Sequence, residues 1–198
     1  ESCARPAGYL GTLGGGRVGA VQPSTHTTRD AVSVHRELAQ LRDAGAAAVA
    51  MEVSSHALDQ QRVAGVRFRS AAFTNLTRDH LDYHGSMEAY AAAKARLFEW
   101  PGLGSRVLNV DDAFGAQLAQ QVDAPGRVIV TGRSAQSAPL IARLAAQGAG
   151  WVRAESVALT AGGQSIRIAS HLGRGGLAST LVGDFNSDHL LTALAILL

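Results

Sequence analysis

The sequence predicts an α/β fold: a mostly parallel sheet flanked by helices, with a small antiparallel β appendage near the C-terminal end. Two patterns carry that expectation. As far as Thr131, short apolar runs of strand length alternate with segments of helical periodicity, the order expected of βαβ units. Beyond Gly150 the period changes to strict alternation on either side of a Gly-Gly turn.

The elements follow in order. Glu1–Gly8 reads as a tail that runs directly into an apolar strand. Thr27-Thr28-Arg29-Asp30 opens a helix in the manner of a capping box, with Asp30 near the positive helix end. Val34, Leu38 and Leu41 then recur at helical spacing, and Gly45 closes the helix. Ala46–Val53 is a continuous run of small apolar residues, which predicts a strand buried on both faces; a helix or an exposed edge there would contradict the reading. A short polar helix around His56–Arg62 and a strand around Ala71–Thr74 come next. Ser86 caps a helix carrying Met87, Tyr90, Leu97 and Phe98. Arg106–Asn109 and Arg127–Thr131 are strands separated by a helix near Ala113–Gln121. Val157/Leu159 and Ile166/Ile168 flank Ala161-Gly162-Gly163 as a hairpin, with Leu177–Val182 as a third strand, and a final helix returns to the α/β body.

Bulk composition narrows the class. The chain has 198 residues, 46% hydrophobic and 17% charged, which fits a single globular domain rather than disorder. Its net charge is +2 and the basic residues are scattered, so no nucleic-acid footprint is expected. The only cysteine, Cys3, excludes an internal disulfide and suits a cytoplasmic protein. The apolar stretch Leu190–Leu198 is too short to span a bilayer, and no signal peptide is recognisable. Both ends read as cut, because neither carries a start or stop signal.

Three clusters carry chemistry. Met51-Glu52-Val53-Ser54-Ser55-His56 lies where a strand gives way to a helix, the position at which open α/β sheets bind ligands. Glu52 is either a ligand-facing carboxylate or a solvated one, and Ser54 either meets an anion or only caps the helix. Thr74–His84 is dense in metal-capable groups. His80 and His84 are four apart and would share a helix face, as in zinc hydrolases, yet no third ligand completes such a set. Lys94 stands among alanines, and a lone helical lysine is ordinarily a solvated charge.

Taken together, "MEVSSHALDQQRV" (51–63), "FTNLTRDHLDYHGSMEAYAAAKARLF" (73–98), "LNVDD" (108–112) and "GDFNSDHLLTALA" (183–195) resemble the central domain of Mur ligases in order and spacing. "YLGTLGGG" (9–16) and "THTTRDAVSVHREL" (25–38) resemble the MurE type of that domain, and the likeness weakens through 133–180. The resemblance implies a P-loop NTPase-like fold and an ATP-dependent ligase. Such a ligase adds meso-diaminopimelate or L-lysine to UDP-MurNAc-L-Ala-D-Glu in peptidoglycan synthesis, through an acyl phosphate. ATP and Mg2+ are then the cofactors, the UDP-sugar dipeptide and a diamino acid the partners, and the full-length enzyme a monomer.

By the same resemblance, Glu52 matches a magnesium ligand and His80 a residue that helps hold a second magnesium. Lys94 matches a lysine carbamylated by CO2, which turns a cation into an anionic, metal-associated group. Thr27, Thr28, Ser54, Gln60 and Arg62 match positions that bind the UDP-sugar dipeptide, and Asn186 matches one that meets adenine. His189 departs from the family, which usually carries a second asparagine there. No Gly-x-x-Gly-Lys-Thr phosphate loop is present. Residues 1–198 are therefore expected to be a central domain truncated at both ends, inactive alone, without the N-terminal UDP-binding and C-terminal amino-acid-binding domains. The competing readings are a non-catalytic nucleotide-binding remnant, another Mur ligase or folylpolyglutamate synthetase relative, and a zinc hydrolase built on residues 79–84.

Overall fold

The computed structural model describes residues 5–121 and 126–198, so Cys3 and the start of the predicted tail lie outside the described residues. The chain divides into two units, Glu1–Val66 with Asp82–Arg96, and Arg67–Leu81 with Leu97–Leu198.

In the first unit, β1 (Ala7–Gly11) pairs antiparallel with β2 (Gly14–Arg17) and parallel with β3 (Ala48–Met51), in the order β2-β1-β3. The β1–β2 turn needs Gly14: its φ is +124°, and a Cβ there would run into the carbonyl oxygen of Gln22. Helix α1 (Ala31–Asp43) buries Val34 and Leu41, two of the three residues on the predicted apolar face. Its cap is Asp30, which accepts from the Ser33 N–H at 3.0 Å. The predicted capping box thus reduces to Asp30, and Thr27 and Thr28 lie before the helix.

The first unit also corrects the reading of Ala46–Val53. A strand forms, but β3 is the edge of the small sheet, and Ala48 and Ala50 are exposed. The run is mostly alanine, whose methyl groups gain little from burial, so its apolarity signals extended backbone without demanding a covered face. After β3, Ser54 caps α2 (Ser55–Asp59) by accepting from the Ala57 N–H at 3.2 Å. The short α3 (Leu81–His84) starts only after His80, whose φ is +54°, so the helical pairing of His80 with His84 does not form. Ser86 caps α4 (Met87–Ala95) as predicted.

In the second unit, β4 (Ser70–Phe73), β5 (Ser105–Asn109), β6 (Arg127–Gly132), β7 (Gly150–Thr160), β8 (Gly163–Ser170) and β9 (Gly173–Ser179) form one sheet in sequence order. The β4–β5, β5–β6 and β6–β7 pairings are parallel; β7–β8 and β8–β9 are antiparallel. The antiparallel part is therefore no separate layer, because β7 pairs with β6 through its first residues and with β8 along its length. Helices α5 (Ala113–Gln121), α6 (Ala138–Ala146) and α7 (Phe185–Leu197) complete the unit. Sequence reading passed over α6, a short helix with proline at its start and no side-chain cap, although Ile141 and Leu144 bury its apolar face.

The core of this unit joins Val107, Ile129, Val152, Ile166 and Ile168 from four strands to Leu191 and Ala195 of α7. Leu191 is 1% exposed, so truncation leaves a cavity that close-packed strands cannot easily refill. Leu191→Ala is expected to lower stability by about 2–5 kcal/mol, measured by chemical denaturation. A loss below about 1 kcal/mol would show that α7 does not close this core.

Candidate functional site

In the first unit the site grows from the exits of β1 and β3. The Glu52 N–H donates to the Leu10 carbonyl at 2.8 Å, which continues the parallel pairing one residue past β3 and fixes the backbone of Glu52. Its carboxylate accepts from the Thr12 hydroxyl at 2.6 Å and from the Tyr9 hydroxyl. Thr12 lies 3.0 Å from the Thr27 hydroxyl. Because Thr12 has one hydroxyl hydrogen and gives it to the Glu52 carboxyl oxygen, Thr27 must be the donor between the two threonines. Burial and the hydrogen bond to Glu52 raise the Tyr9 pKa, so the phenol keeps the proton it donates.

Thr28 is the buried hub, 2% exposed. Its hydroxyl donates to the Glu52 carbonyl at 2.9 Å and accepts from the Ser54 N–H at 3.0 Å, which clamps the turn between β3 and α2. The Arg62 guanidinium donates to the Thr28 carbonyl at 2.9 Å and to Gln60 Oε1 at 2.8 Å. Gln60 Nε2 in turn donates to the Tyr83 hydroxyl at 3.1 Å, and Tyr83 donates to Asp59 at 2.9 Å. Thr27, Thr28, Glu52, Ser54, Gln60 and Arg62, all singled out in the sequence, thus belong to one hydrogen-bonded network. Tyr9, Thr12, Asp59 and Tyr83 belong to it too and were missed. Thr12 stands in the quoted "YLGTLGGG" and Tyr83 in "DHLDYHG", but nothing in the spacing reveals which partner each will meet.

Lys94, in the last turn of α4, holds its ammonium 5.2 Å from the centre of the Tyr90 ring. Tyr90 stacks on His84 at 5.3 Å, and His84 Nε2 lies 2.9 Å from the buried Ser55 hydroxyl. A ring face favours the protonated amine.

In the second unit, two loops are tied at the carboxyl ends of β5 and β6. Asp111 accepts from the backbone N–H of Arg133 at 2.6 Å and of Ser134 at 3.2 Å, and Asp112 from Leu76 and Phe114, each at 2.8 Å. Arg133 makes a two-pronged contact with Asp184, both bonds 2.7 Å, and reaches Asp188 at 2.8 Å. Hydrogen bonding to Asp184, then to Asp188, raises the Arg133 pKa above its ordinary value. That cluster holds the first turn of α7, where Asn186 donates to the Val182 carbonyl at 2.8 Å and the rings of Phe185 and His189 meet edge to face at 6.0 Å. His80 is in this unit as well. Its left-handed backbone is uncommon for a residue with a Cβ, and its N–H donates to Asp79 at 2.7 Å.

An open sheet with helices, and polar residues gathered where its parallel strands end, defines an α/β ligand-binding domain. The family described as Mur ligase middle domain matches residues 2–197, and the chain belongs to that family. It is 48% identical over 191 residues to a UDP-N-acetylmuramoyl-L-alanyl-D-glutamate--2,6-diaminopimelate ligase of Ectopseudomonas mendocina, covering 96% of this chain and 37% of the relative. It is 50% identical over 191 residues to the protein of the same name from Pseudomonas aeruginosa, again over 96% of this chain and 37% of the relative. A solved structure of a ligase of that name superposes with a TM-score of 0.80 at 32% identity, over 96% of this chain and 37% of the other. MurF from Acinetobacter baumannii, with a TM-score of 0.55 at 15% identity over 77% of this chain and 31% of the other, shares the fold. The chain thus spans about 37% of the length of the curated relatives it matches.

The Tyr83–Asp59 bond yields a test by pH. The hydrogen bond from Tyr83, followed by the charge of Arg96, holds the Asp59 pKa below the ordinary carboxylate value. A depressed acid contributes stability above its unfolded pKa, and that contribution disappears as pH falls through the folded value. Tyr83→Phe is expected to raise the Asp59 pKa toward the ordinary value, so the contribution becomes smaller and is fully lost at a higher pH; a carboxyl-carbon NMR titration reads the shift directly. An unmoved titration would remove Tyr83 as the group that holds Asp59.

Proposed function

We propose that this chain is the ATP- and UDP-sugar-peptide-binding domain of a ligase that adds meso-diaminopimelate to UDP-MurNAc-L-Ala-D-Glu in the cytoplasm. The observation that carries this reading is the hydrogen-bonded network joining Thr27, Thr28, Ser54, Gln60 and Arg62 to Glu52. Relatives bearing that enzyme's name match the chain at 48–50% identity, which supports the choice of diaminopimelate.

In the proposed reaction the substrate carboxylate takes the terminal phosphoryl group of ATP and becomes an acyl phosphate. The amine of the diamino acid then attacks that carbonyl, and phosphate leaves. Such transfers depend on positioning and charge neutralisation more than on covalent help from the protein. Arg62, pre-aligned by Gln60 and Thr28, supplies positive charge to the anionic UDP-sugar dipeptide. Ser54, whose N–H is already given to Thr28, meets the same ligand through its hydroxyl hydrogen. Asn186 meets the adenine ring.

The chemistry of Glu52 suits magnesium. The described residues contain no group of three or more His, Cys, Asp or Glu that would enclose a metal. A single carboxylate is what magnesium uses when nucleotide phosphates and water supply its other ligands. Each Glu52 oxygen takes one hydroxyl hydrogen bond and keeps acceptor capacity for a cation. Magnesium, when bound, neutralises charge developing on the phosphates. His80 assists at a second cation, and Lys94 acts as its carbamate. That modification turns the Lys94 amine into an anionic group, which neighbouring cations favour.

Two substitutions in the full-length ligase test the assignment, with phosphate release and formation of the tripeptide product as readouts. Arg62→Ala is expected to weaken binding of the UDP-sugar dipeptide by about 1.5–3 kcal/mol, the worth of hydrogen bonds to charged groups. Unchanged affinity would count against the substrate surface. Lys94→Ala is expected to lose most activity, with partial rescue by short carboxylates that stand in for the carbamate. Full activity without Lys94 would end that part of the proposal.

A further inference from the structure

Glu52 is held more tightly than an exposed carboxylate requires, and the arrangement can be traced to β1. Side chains two apart in a strand share a face, so Tyr9 and Gly11 point the same way. At Gly11 there is no side chain. A Cβ built there would collide with the Tyr9 hydroxyl and with the Glu52 carboxylate, at Oε1 and, 2.7 Å away, at the carboxyl carbon. The bare glycine therefore leaves the space in which phenol and carboxylate meet. Thr12, the next residue, approaches the other carboxylate oxygen at 2.6 Å. One oxygen thus accepts from each hydroxyl, while the Glu52 N–H is pinned to Leu10 at 2.8 Å. With the backbone anchored and both oxygens held, the carboxylate plane has a single orientation.

We propose that Tyr9 and Thr12 are positioning residues for Glu52, fixing its carboxylate to meet the cation carried by the nucleotide phosphates, with Gly11 keeping the space open. The inference rests on the reading of Glu52 as a magnesium ligand. The physical reason is that a carboxylate free to rotate must lose that freedom when it binds a cation, whereas one already held by hydroxyl donors does not. Thr12 adds a link, since Thr27 spends its own hydrogen on Thr12 and so presents only acceptor lone pairs to a ligand. Whatever part of the UDP-sugar dipeptide meets Thr27 must therefore offer an N–H or O–H.

The test uses the full-length ligase and calorimetric titration of Mg2+ in the presence of a non-hydrolysable ATP analogue, beside steady-state kinetics. Tyr9→Phe and Thr12→Val each are expected to weaken the apparent magnesium affinity about 10-fold, the usual scale for a lost partner behind a metal ligand. Thr12→Ser, which restores a hydroxyl, should return it to near the wild-type value. Gly11→Ala tests the same geometry from the other side. Its backbone is not left-handed, so the added methyl acts through the collision and should weaken magnesium binding as well. Circular dichroism should show all variants folded. Glu52→Gln separates the two claims. If it binds magnesium as the wild type does, the metal-ligand reading falls and the inference with it. If Glu52→Gln loses magnesium while Tyr9→Phe and Thr12→Val keep it, the reading stands and the positioning role is refuted.

Discussion

The hydroxyl of Thr28 is the constraint on which the site in the first unit depends. It meets both ends of one turn further along the chain, 24 and 26 positions away, giving its hydrogen to the carbonyl of Glu52 and receiving one from the N–H of Ser54. A buried hydroxyl satisfied on both sides costs little, whereas leaving either backbone group unpaired there would cost about 1–3 kcal/mol. That double bond sets the angle at which the chain leaves β3 and enters α2. It thereby decides where the Glu52 carboxylate, the Ser54 cap and the Arg62 guanidinium lie relative to one another.

From that hub the hydrogen bonds run in one direction. Arg62 can only donate, so Gln60 must turn its oxygen toward Arg62 and its amide nitrogen toward Tyr83, and the Tyr83 hydrogen goes to Asp59. On the other side the hydrogens run from Thr27 through Thr12 to Glu52. The result is a surface whose donors and acceptors are set before a ligand arrives, which lowers the ordering cost of binding. A ligand that makes several hydrogen bonds at once is the kind of molecule that benefits.

The second unit reaches a similar end by different means. There the work is done by carboxylates that accept from backbone N–H groups. Asp111 and Asp112 draw in the segments following β4 and β6, and Arg133 binds the first turn of α7 through Asp184 and Asp188. Arg133 is partly covered and its fork matches Asp184 geometrically, so these pairs exceed ordinary surface ion pairs in directional value. The left-handed His80 and the first turn of α7 are thus set on loops tied to a close-packed sheet.

Local physics was enough to reveal most of the elements. Alternation at Val157, Leu159, Ile166 and Ile168 marks the hairpin because a strand's faces repeat every two residues, and it forms with Val157 opposite Ile166. Ser54 and Ser86 are caps because a short hydroxyl before a helix can meet orphan N–H groups three residues on. The candidate site residues were legible only through the likeness of whole motifs, since a lone Glu52 or Lys94 has an ordinary solvated reading. Other features depended on tertiary structure. Small apolar residues at Ala48 and Ala50 are compatible with either a covered strand or an edge, and only pairing partners far along the chain place them at an edge. Thr27-Thr28-Arg29-Asp30 reads as the opening of α1, and of these Asp30 takes the cap while the Thr28 hydroxyl is drawn to residues 24 and 26 positions away. Tyr9, Thr12 and Tyr83 acquire their roles from contacts across 43, 40 and 24 residues of chain. A sequence pattern reports what a residue can donate or accept, while the partner it meets is decided by where the backbone brings distant segments together.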